Sequence, residues 1–158
     1  MRIETVSEAD LPELLPLMRG YCDFYESDPP DEKLLTMSLA LLANPSFEGV
    51  QLIARDDGGR AIGFATIFWT WSTNAAARLG TMNDLFVSAH ARGSGAAEAL
   101  IRACVERCRE RGAVRLEWQT ALDNLRAQAV YERVGGTREQ WYDYWLAAEP
   151  AGEAEPAG

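Results

Sequence analysis

The sequence predicts one α/β domain, a mixed sheet with helices on both faces, and three observations predict it. Apolar residues recur with the two-residue period of strands and the three- and four-residue period of helices in the order β, α, α, β, β, β, α, β, α, β. A hairpin stands early in that order, at Asp57, Gly58 and Gly59. Later a glycine-bearing stretch, Arg92 to Ala97, separates an apolar strand from an amphipathic helix.

Arg2 to Val6 reads as a short strand. Ser7, with Asp10 three residues on, caps a helix whose apolar stripe is Leu11, Leu14, Leu15 and Met18. A second helix starts after Pro29 and Pro30 and carries Leu34, Leu35, Met37, Leu39 and Leu42. It stops at Asn44 and Pro45, because the residue before a proline avoids the helical region. Val50 to Arg55 and Ala61 to Trp71 are the arms of the hairpin, and Thr81 to Val87 is the next strand. Gly95 to Arg111 is a helix with Ala97, Leu100, Ile101, Cys104, Val105 and Cys108 on one side, closed by Gly112. Val114, Leu116 and Trp118 alternate with Arg115, Glu117 and Gln119, the period of a strand with one apolar face. Asp123 or Asn124 caps a helix that runs through Tyr131 to Val134 and ends at Gly135 and Gly136; the aromatic run Trp141 to Leu146 is a last strand.

The 158 residues suit one domain, placed over residues 1–147, with no internal repeat and no linker before Ala147. Residues 148–158 carry three glutamates with Pro150, Gly152 and Pro156 and nothing apolar to pack, so an acidic, disordered tail is expected. A net charge of -9, from 24 acidic and 15 basic residues, argues against nucleic acid or an anionic membrane as partner and suits a cationic small substrate. No run reaches the roughly 20 apolar residues that span a bilayer, and no signal-type apolar core opens the chain, so a cytoplasmic protein is expected. Cys22, Cys104 and Cys108 have no accompanying Cys or His cluster and read as ordinary reduced thiols, with no metal site.

In the loop Arg92, Gly93, Ser94, Gly95, Ala96, Ala97, glycines let the backbone curl closely while free amides at the helix start face an anion, for which a diphosphate is the natural occupant. A simple turn before a helix would also use such glycines. A dinucleotide fingerprint fits less well, although Glu117 lies near where an acid would hold a ribose. The third glycine is missing, Ser88 to Ala91 lengthen the turn after the strand, and no second β-α-β half follows.

These residues resemble the GCN5-related N-acetyltransferase family. Its acetyl-CoA loop has Gln or Arg, two variable residues, Gly, one variable residue and Gly or Ala, which Arg92, Gly95 and Ala97 match. Asn124, Ala127, Tyr131, Glu132 and Gly135 are similar to the family's second cofactor-side helix, and the likeness extends from Arg2 to Leu146. Asn83 to Val87, Asn124 to Gln128 and the Phe- and Trp-rich strand Gly63 to Trp71 look most like the histone and polyamine (diamine) branch. The resemblance implies a single-domain fold with a mostly antiparallel sheet and a ternary, direct transfer of acetyl from acetyl-CoA to a primary amine. The acceptor would be a small basic molecule, such as a polyamine or amino acid, or a lysine side chain. It further implies that the amides of Gly93, Ser94, Gly95, Ala96 and Ala97, with Arg92, hold the pyrophosphate. The backbone of Leu85, Phe86 and Val87 would take the pantetheine arm, and Asn124 would touch the cofactor. The aromatic last strand is, by the same likeness, compatible with a homodimer.

Amine acetylation must remove a proton from the amine and benefits from giving one to the departing thiolate. Tyr131 is the expected acid, since a phenol stays protonated at neutral pH, although an aromatic on a helix's inner side also serves a core. Asp84 is the preferred base, because a carboxylate within the apolar run Met82 to Val87 should be desolvated; an ion pair or loop cap is the plainer role. Glu117 and a bridging water are the other base candidates. Diamine-type relatives carry a glutamate where this chain has Asn83, which cannot act as a base. That departure leaves open a second reading, a non-catalytic acyl-CoA-binding or sensing module of the same fold. Tyr21, Asp23, Tyr25 and Glu26 follow the first helix where relatives shape the acceptor site, and carboxylates among aromatics suit an amine cation; a solvated acidic loop uses the same residues. Trp69 and Trp71 could wall that pocket or serve core and dimer contacts, and His90 stands in a polar loop without metal partners.

Overall fold

In the computed structural model, which describes residues 1–148, five strands lie side by side in chain order. They are β1 (Arg2–Thr5), β2 (Gly49–Arg55), β3 (Ala61–Ser72), β4 (Ala77–Val87) and β5 (Leu116–Glu117). The first four pair antiparallel and β5 runs parallel to β4, so the sheet is mixed and mostly antiparallel. The expected tail lies outside the described residues save for Ala148.

Side chains that alternate along β2 feed two cores. Ile53 joins Phe64 of β3 beneath α1 (Leu11–Phe24), whose Leu14, Leu17 and Met18 fill that face. Leu52 and Ala54 join Ala65 and Ile67 on the other face, under Leu100, Ile101 and Cys104 of α3 (Ala96–Glu110). α2 (Asp31–Ala43) packs beside α1 and β2, and α4 (Leu125–Arg133) beside α3. Helices therefore cover both faces, as the alternating periods predict. Ser7 donates to the Asp10 carboxylate from its amide at 2.9 Å and its hydroxyl at 2.6 Å, so the expected cap forms, over a short 3₁₀ turn that precedes α1.

Three elements differ from expectation. β4 begins at Ala77 rather than Thr81, because residues 73–76 turn β3 straight into β4 in a second hairpin. That turn holds Ala76 at φ +47 with no glycine, and its turn residues are Asn74 and Ser72, whose hydroxyl accepts from the Ala75 amide at 3.2 Å. β5 is cut to two residues, Leu116 and Glu117. The run Trp141 to Leu146 forms no strand: residues 137–148 have no regular structure, and Trp141, Tyr142, Tyr144, Trp145 and Leu146 are 80–95% exposed. A strand needs a ladder to join, and β5 offers only a two-residue edge.

Two irregularities in β4 shape the site and the packing around it. Thr66 pairs with Asp84 and Ile67 with Met82, so Asn83 is the extra residue of a bulge. At Gly80, where β4 meets β5, a Cβ would come within 2.5 Å of the Cys108 sulfur on α3 and 3.2 Å of Ile67 and Trp69. A missing side chain thus sets the approach of α3 to the sheet. Gly80→Ala is expected to destabilise the fold by about 1–3 kcal/mol, read as a lower urea midpoint with an unchanged slope.

Candidate active site

The chain enters α3 through Gly93 at φ +82 and Gly95 at φ +86, left-handed conformations that favour glycine. A Cβ at either position would meet nothing within 4 Å, so backbone conformation and not space demands glycine there. Gly95 is the N-cap of α3, and the amides of Gly93, Gly95, Ala96 and Ala97 donate to no acceptor among the described residues. Four free amides at the positive end of a fifteen-residue helix fit the diphosphate of an acyl-CoA. Arg92 donates from Nε to the Val87 carbonyl at 3.3 Å, which ties the loop back to the end of β4.

The β4–β5 ladder stops after Thr81 and Glu117. Beyond that point the ladder ends, and among the described residues no strand pairs with β4 from Met82 to Val87 on that side. A cleft opens there, lined by Asn83, Leu85, Trp118, Tyr131, Tyr21 and Tyr25. Tyr131 comes from α4, its ring 5.3 Å from that of Trp118 at 67°, an edge-to-face contact that fixes it. Burial pushes the Tyr131 phenol above its ordinary value, so it carries its proton at neutral pH. α4 is aimed at the cleft by Asn124, whose side-chain oxygen accepts from the Ala127 amide at 3.2 Å. That oxygen serves the cap, which leaves the amide NH₂ of Asn124 for other partners.

Asp84 is 7% exposed and sits behind the cleft, on the face of β4 toward α1. The bulge turns its neighbour Asn83 outward, so Asn83 and not Asp84 lines the opening. Burial raises the Asp84 carboxyl above the usual carboxylate range, and hydrogen bonding with Thr66, Asn83 and Tyr21 pulls it partly back. The Asn83 amide donates to Asp84 at 2.9 Å, and the Tyr21 hydroxyl donates to the Asn83 carbonyl at 3.3 Å. Burial, and next the Asp84 charge, pushes the Tyr21 phenol well up, so Tyr21 acts as a donor over Asp84. The ring of Tyr25 lies 4.9 Å from that of Tyr21.

The remaining expected residues lie apart from this cluster. Glu117 accepts from Arg115 Nε at 2.6 Å, and its carboxylate is held in that pair. Glu26 is exposed at φ +53 and Asp23 is exposed; neither lines the cleft. Phe86 turns its ring to Phe64 under α1, which leaves its backbone alone for the cleft side. Trp69 is buried and donates to the Pro45 carbonyl at 2.9 Å, Trp71 stacks under Arg78 at 5.1 Å, and His90 is exposed. All three cysteines are free and buried, with burial pushing Cys104 up to about 12 and Cys108 up to about 11. Among the described residues no cluster of three or more His, Cys, Asp or Glu could hold a metal, and no helix is long and apolar enough to cross a membrane. Sequence reasoning passed over Trp118 as a cleft wall, and over Gln51 and Thr66 behind Asp84. The alternation of Leu116 and Trp118 on one face of β5 was the signal for the first; the other two need the strand register.

Comparison with known proteins bears on this arrangement. Residues 13–136 match the model of the Acetyltransferase (GNAT) family. The Uncharacterized N-acetyltransferase YhfO of Bacillus subtilis (strain 168) is 31% identical over 151 residues, which cover 96% of this chain and 99% of YhfO. The crystal structure of a probable acetyltransferase superposes with a TM-score of 0.83 at 30% identity, over 95% of this chain and 99% of the other. Aminoglycoside N-Acetyltransferase AAC(6')-Iy in complex with CoA shares the fold at a TM-score of 0.81 and 20% identity, over 93% of this chain and 94% of its own. The fold, the amide cradle at α3 and these likenesses agree: the chain belongs to the acetyltransferase (GNAT) family and is an N-acetyltransferase that uses acetyl-CoA.

Proposed function

We propose that the protein moves the acetyl group of acetyl-CoA to a primary amine of a small basic molecule, such as a polyamine or amino acid, or to a lysine side chain. The observation that carries this reading is the meeting of Tyr131, Asn83 and Leu85 at the point where β4 and β5 part, with Asp84 buried behind. The amides of Gly93, Gly95, Ala96 and Ala97, with Arg92, hold the pyrophosphate, while the Ser94 amide is held by the Ala91 carbonyl at 3.3 Å; the free β4 edge at Leu85, Phe86 and Val87 takes the pantetheine arm; the Asn124 amide NH₂ faces the cofactor. Bound there, acetyl-CoA supplies the thioester carbonyl carbon that the amine attacks directly, without an acetylated protein side chain. Asp84, through a water in the cleft, takes the amine proton as the C–N bond forms. Tyr131 gives its proton to the sulfur as the C–S bond breaks.

Tyr21 and Tyr25 shape the acceptor end, and their π faces suit a cation; Glu26, expected beside them, does not line the cleft. A net charge of -9 draws polycationic acceptors by long-range attraction. Aminoglycoside amines belong in the same chemical class as polyamines here, since several solved structures of this fold are aminoglycoside acetyltransferases. The buried free thiols accord with work in the reducing cytoplasm. Acetyl-CoA turnover is expected on at least one member of a panel of polyamines, amino acids, lysine peptides and aminoglycosides, read as thiol release. Tight acetyl-CoA binding by calorimetry with turnover on no amine would instead favour the acyl-CoA-sensing reading. On an active amine, Tyr131→Phe should lower kcat about a hundredfold while the acetyl-CoA affinity stays near the wild-type value; unchanged kcat removes Tyr131 from the acid role.

The Asp84 assignment predicts the pH dependence. A base must be ionised, and the Asp84 carboxyl is raised by burial, so kcat/KM should fall as pH drops through a midpoint above the ordinary value of about 4. Asp84→Asn should abolish that acidic limb together with most of the rate. A limb that survives the substitution belongs to the amine substrate or to another group.

The exposed aromatic run supports a homodimer. Five large apolar side chains from Trp141 to Leu146 are 80–95% exposed, and an exposed patch of that size marks an interaction surface. Light scattering on the full chain at micromolar concentration should give twice the monomer mass. Trp141→Ser with Trp145→Ser should return it to the monomer; a monomeric wild type overturns the dimer.

A further inference from the structure

Behind the cleft, the antiparallel register sets three polar side chains directly across from one another: Gln51 on β2, Thr66 on β3 and Asp84 on β4. They are 3%, 0% and 7% exposed, one step along the strands from the apolar row of Ile53, Phe64 and Phe86 on the same face. Three polar groups in the middle of a sheet face are not there for packing, since each must be desolvated. Their hydrogen bonds are directional. The Gln51 side-chain nitrogen donates to the Thr66 hydroxyl oxygen at 3.2 Å. With that oxygen accepting from Gln51, the one hydroxyl proton of Thr66 is left for Asp84, its cross-strand neighbour on β4. The other end of the row is incomplete: the Gln51 side-chain oxygen is buried and has no partner.

We propose that Gln51 and Thr66 are positioning residues for Asp84, forming a reversible hydrogen-bond row that keeps its carboxyl partnered both before and after it takes a proton. The inference rests on the reading of Asp84 as the base. While Asp84 is ionised, Gln51 donates to Thr66 and Thr66 donates to Asp84. Once the amine N–H bond breaks and an Asp84 O–H forms, the carboxyl needs an acceptor. Thr66 offers its oxygen and turns its own proton toward Gln51. A half-turn of the Gln51 amide then presents its side-chain oxygen to Thr66, and the atom that lacked a partner gains one. No proton moves along the row; only donors and acceptors exchange, and the proton taken by Asp84 leaves through the cleft. From α1, Tyr21 is the titratable group against Asp84, with Tyr25 stacked on Tyr21; from β4 itself the neutral Asn83 amide donates. No cation pairs with Asp84 among the described residues, so hydrogen bonds alone offset its burial.

The test uses the full chain and two readouts: a ¹³C titration of the Asp84 carboxyl, and the pH profile of kcat/KM. Thr66→Val should move the Asp84 midpoint upward by about one pH unit, which is about tenfold in kcat/KM on the acidic limb, with the KM for acetyl-CoA unchanged. Thr66→Ser, which keeps the hydroxyl, should restore the wild-type midpoint. Gln51→Met, which removes the amide at similar volume, should move it in the same direction by less. If Thr66→Val does not fold, Gln51→Met still reads the row. An Asp84 midpoint that stays put in folded Thr66→Val or Gln51→Met overturns the inference. Failure of the base reading is seen separately: Asp84→Asn would then retain the acidic limb, while the carboxyl titration still reports whether the row acts.

Discussion

The organisation of this protein depends on one strand that is paired unequally on its two edges. β4 is held along its whole length by β3 but by β5 only at Gly80 and Thr81. Past Thr81 no strand among the described residues pairs with its second edge, and a buried or half-buried peptide group seeks a partner. That free edge fixes where an extended ligand can add to the sheet. Gly80 is the hinge of the arrangement. It lets Cys108 of α3 press against the sheet at the point where the two strands still touch, so the helix that carries the amide cradle and the strand that ends in the cleft share one anchor.

What was legible in the sequence was local. The loop from Arg92 to Ala97 could be read because left-handed backbone at Gly93 and Gly95 selects glycine regardless of the rest of the fold. The cap at Asn124 and the placing of Tyr131 two turns later follow from helix geometry alone. Features that depend on a neighbouring strand were not legible. The turn at residues 73–76 contains neither glycine nor proline and sets Ala76 at positive φ, so Ser72 and Asn74 were the only marks of the second hairpin. Trp141 to Leu146 has the composition of a strand, yet a strand exists only where a ladder accepts it. That Met82 faces α3 and Asp84, two residues on, faces α1 comes from the bulge at Asn83, which is a property of the pair β3 and β4 and not of either sequence.

The same bulge bears on the pair Asn83 and Asp84. In a regular strand the two would take opposite faces. Here Asn83 lines the cleft and also donates to Asp84, so the two act as one unit, the amide outside and the carboxyl behind it. Holding a carboxyl there works against stability at neutral pH, because burial favours its protonated form and ionisation in place is penalised. The sheet tolerates this with the Asn83 amide donating to the carboxyl at 2.9 Å, the Thr66 hydroxyl across the register from it and the Tyr21 phenol beside it.

The two ends of the cleft are built by different means, and this governs how specific each is. The end at α3 is made largely of backbone: free amides at α3, the open edge of β4 and a helix dipole. Such groups recognise a phosphate or an amide and change little when side chains are exchanged. The opposite end is made of side chains, Tyr21 and Tyr25 from the last turn of α1 and its exit and Trp118 and Gln119 beside β5. Gln119 in turn donates to Asp143 at 2.8 Å, so the C-terminal run reaches that wall of the cleft. The contact ties the run to a wall made of side chains, while the amide cradle at α3 and the edge of β4 belong to the backbone of the core.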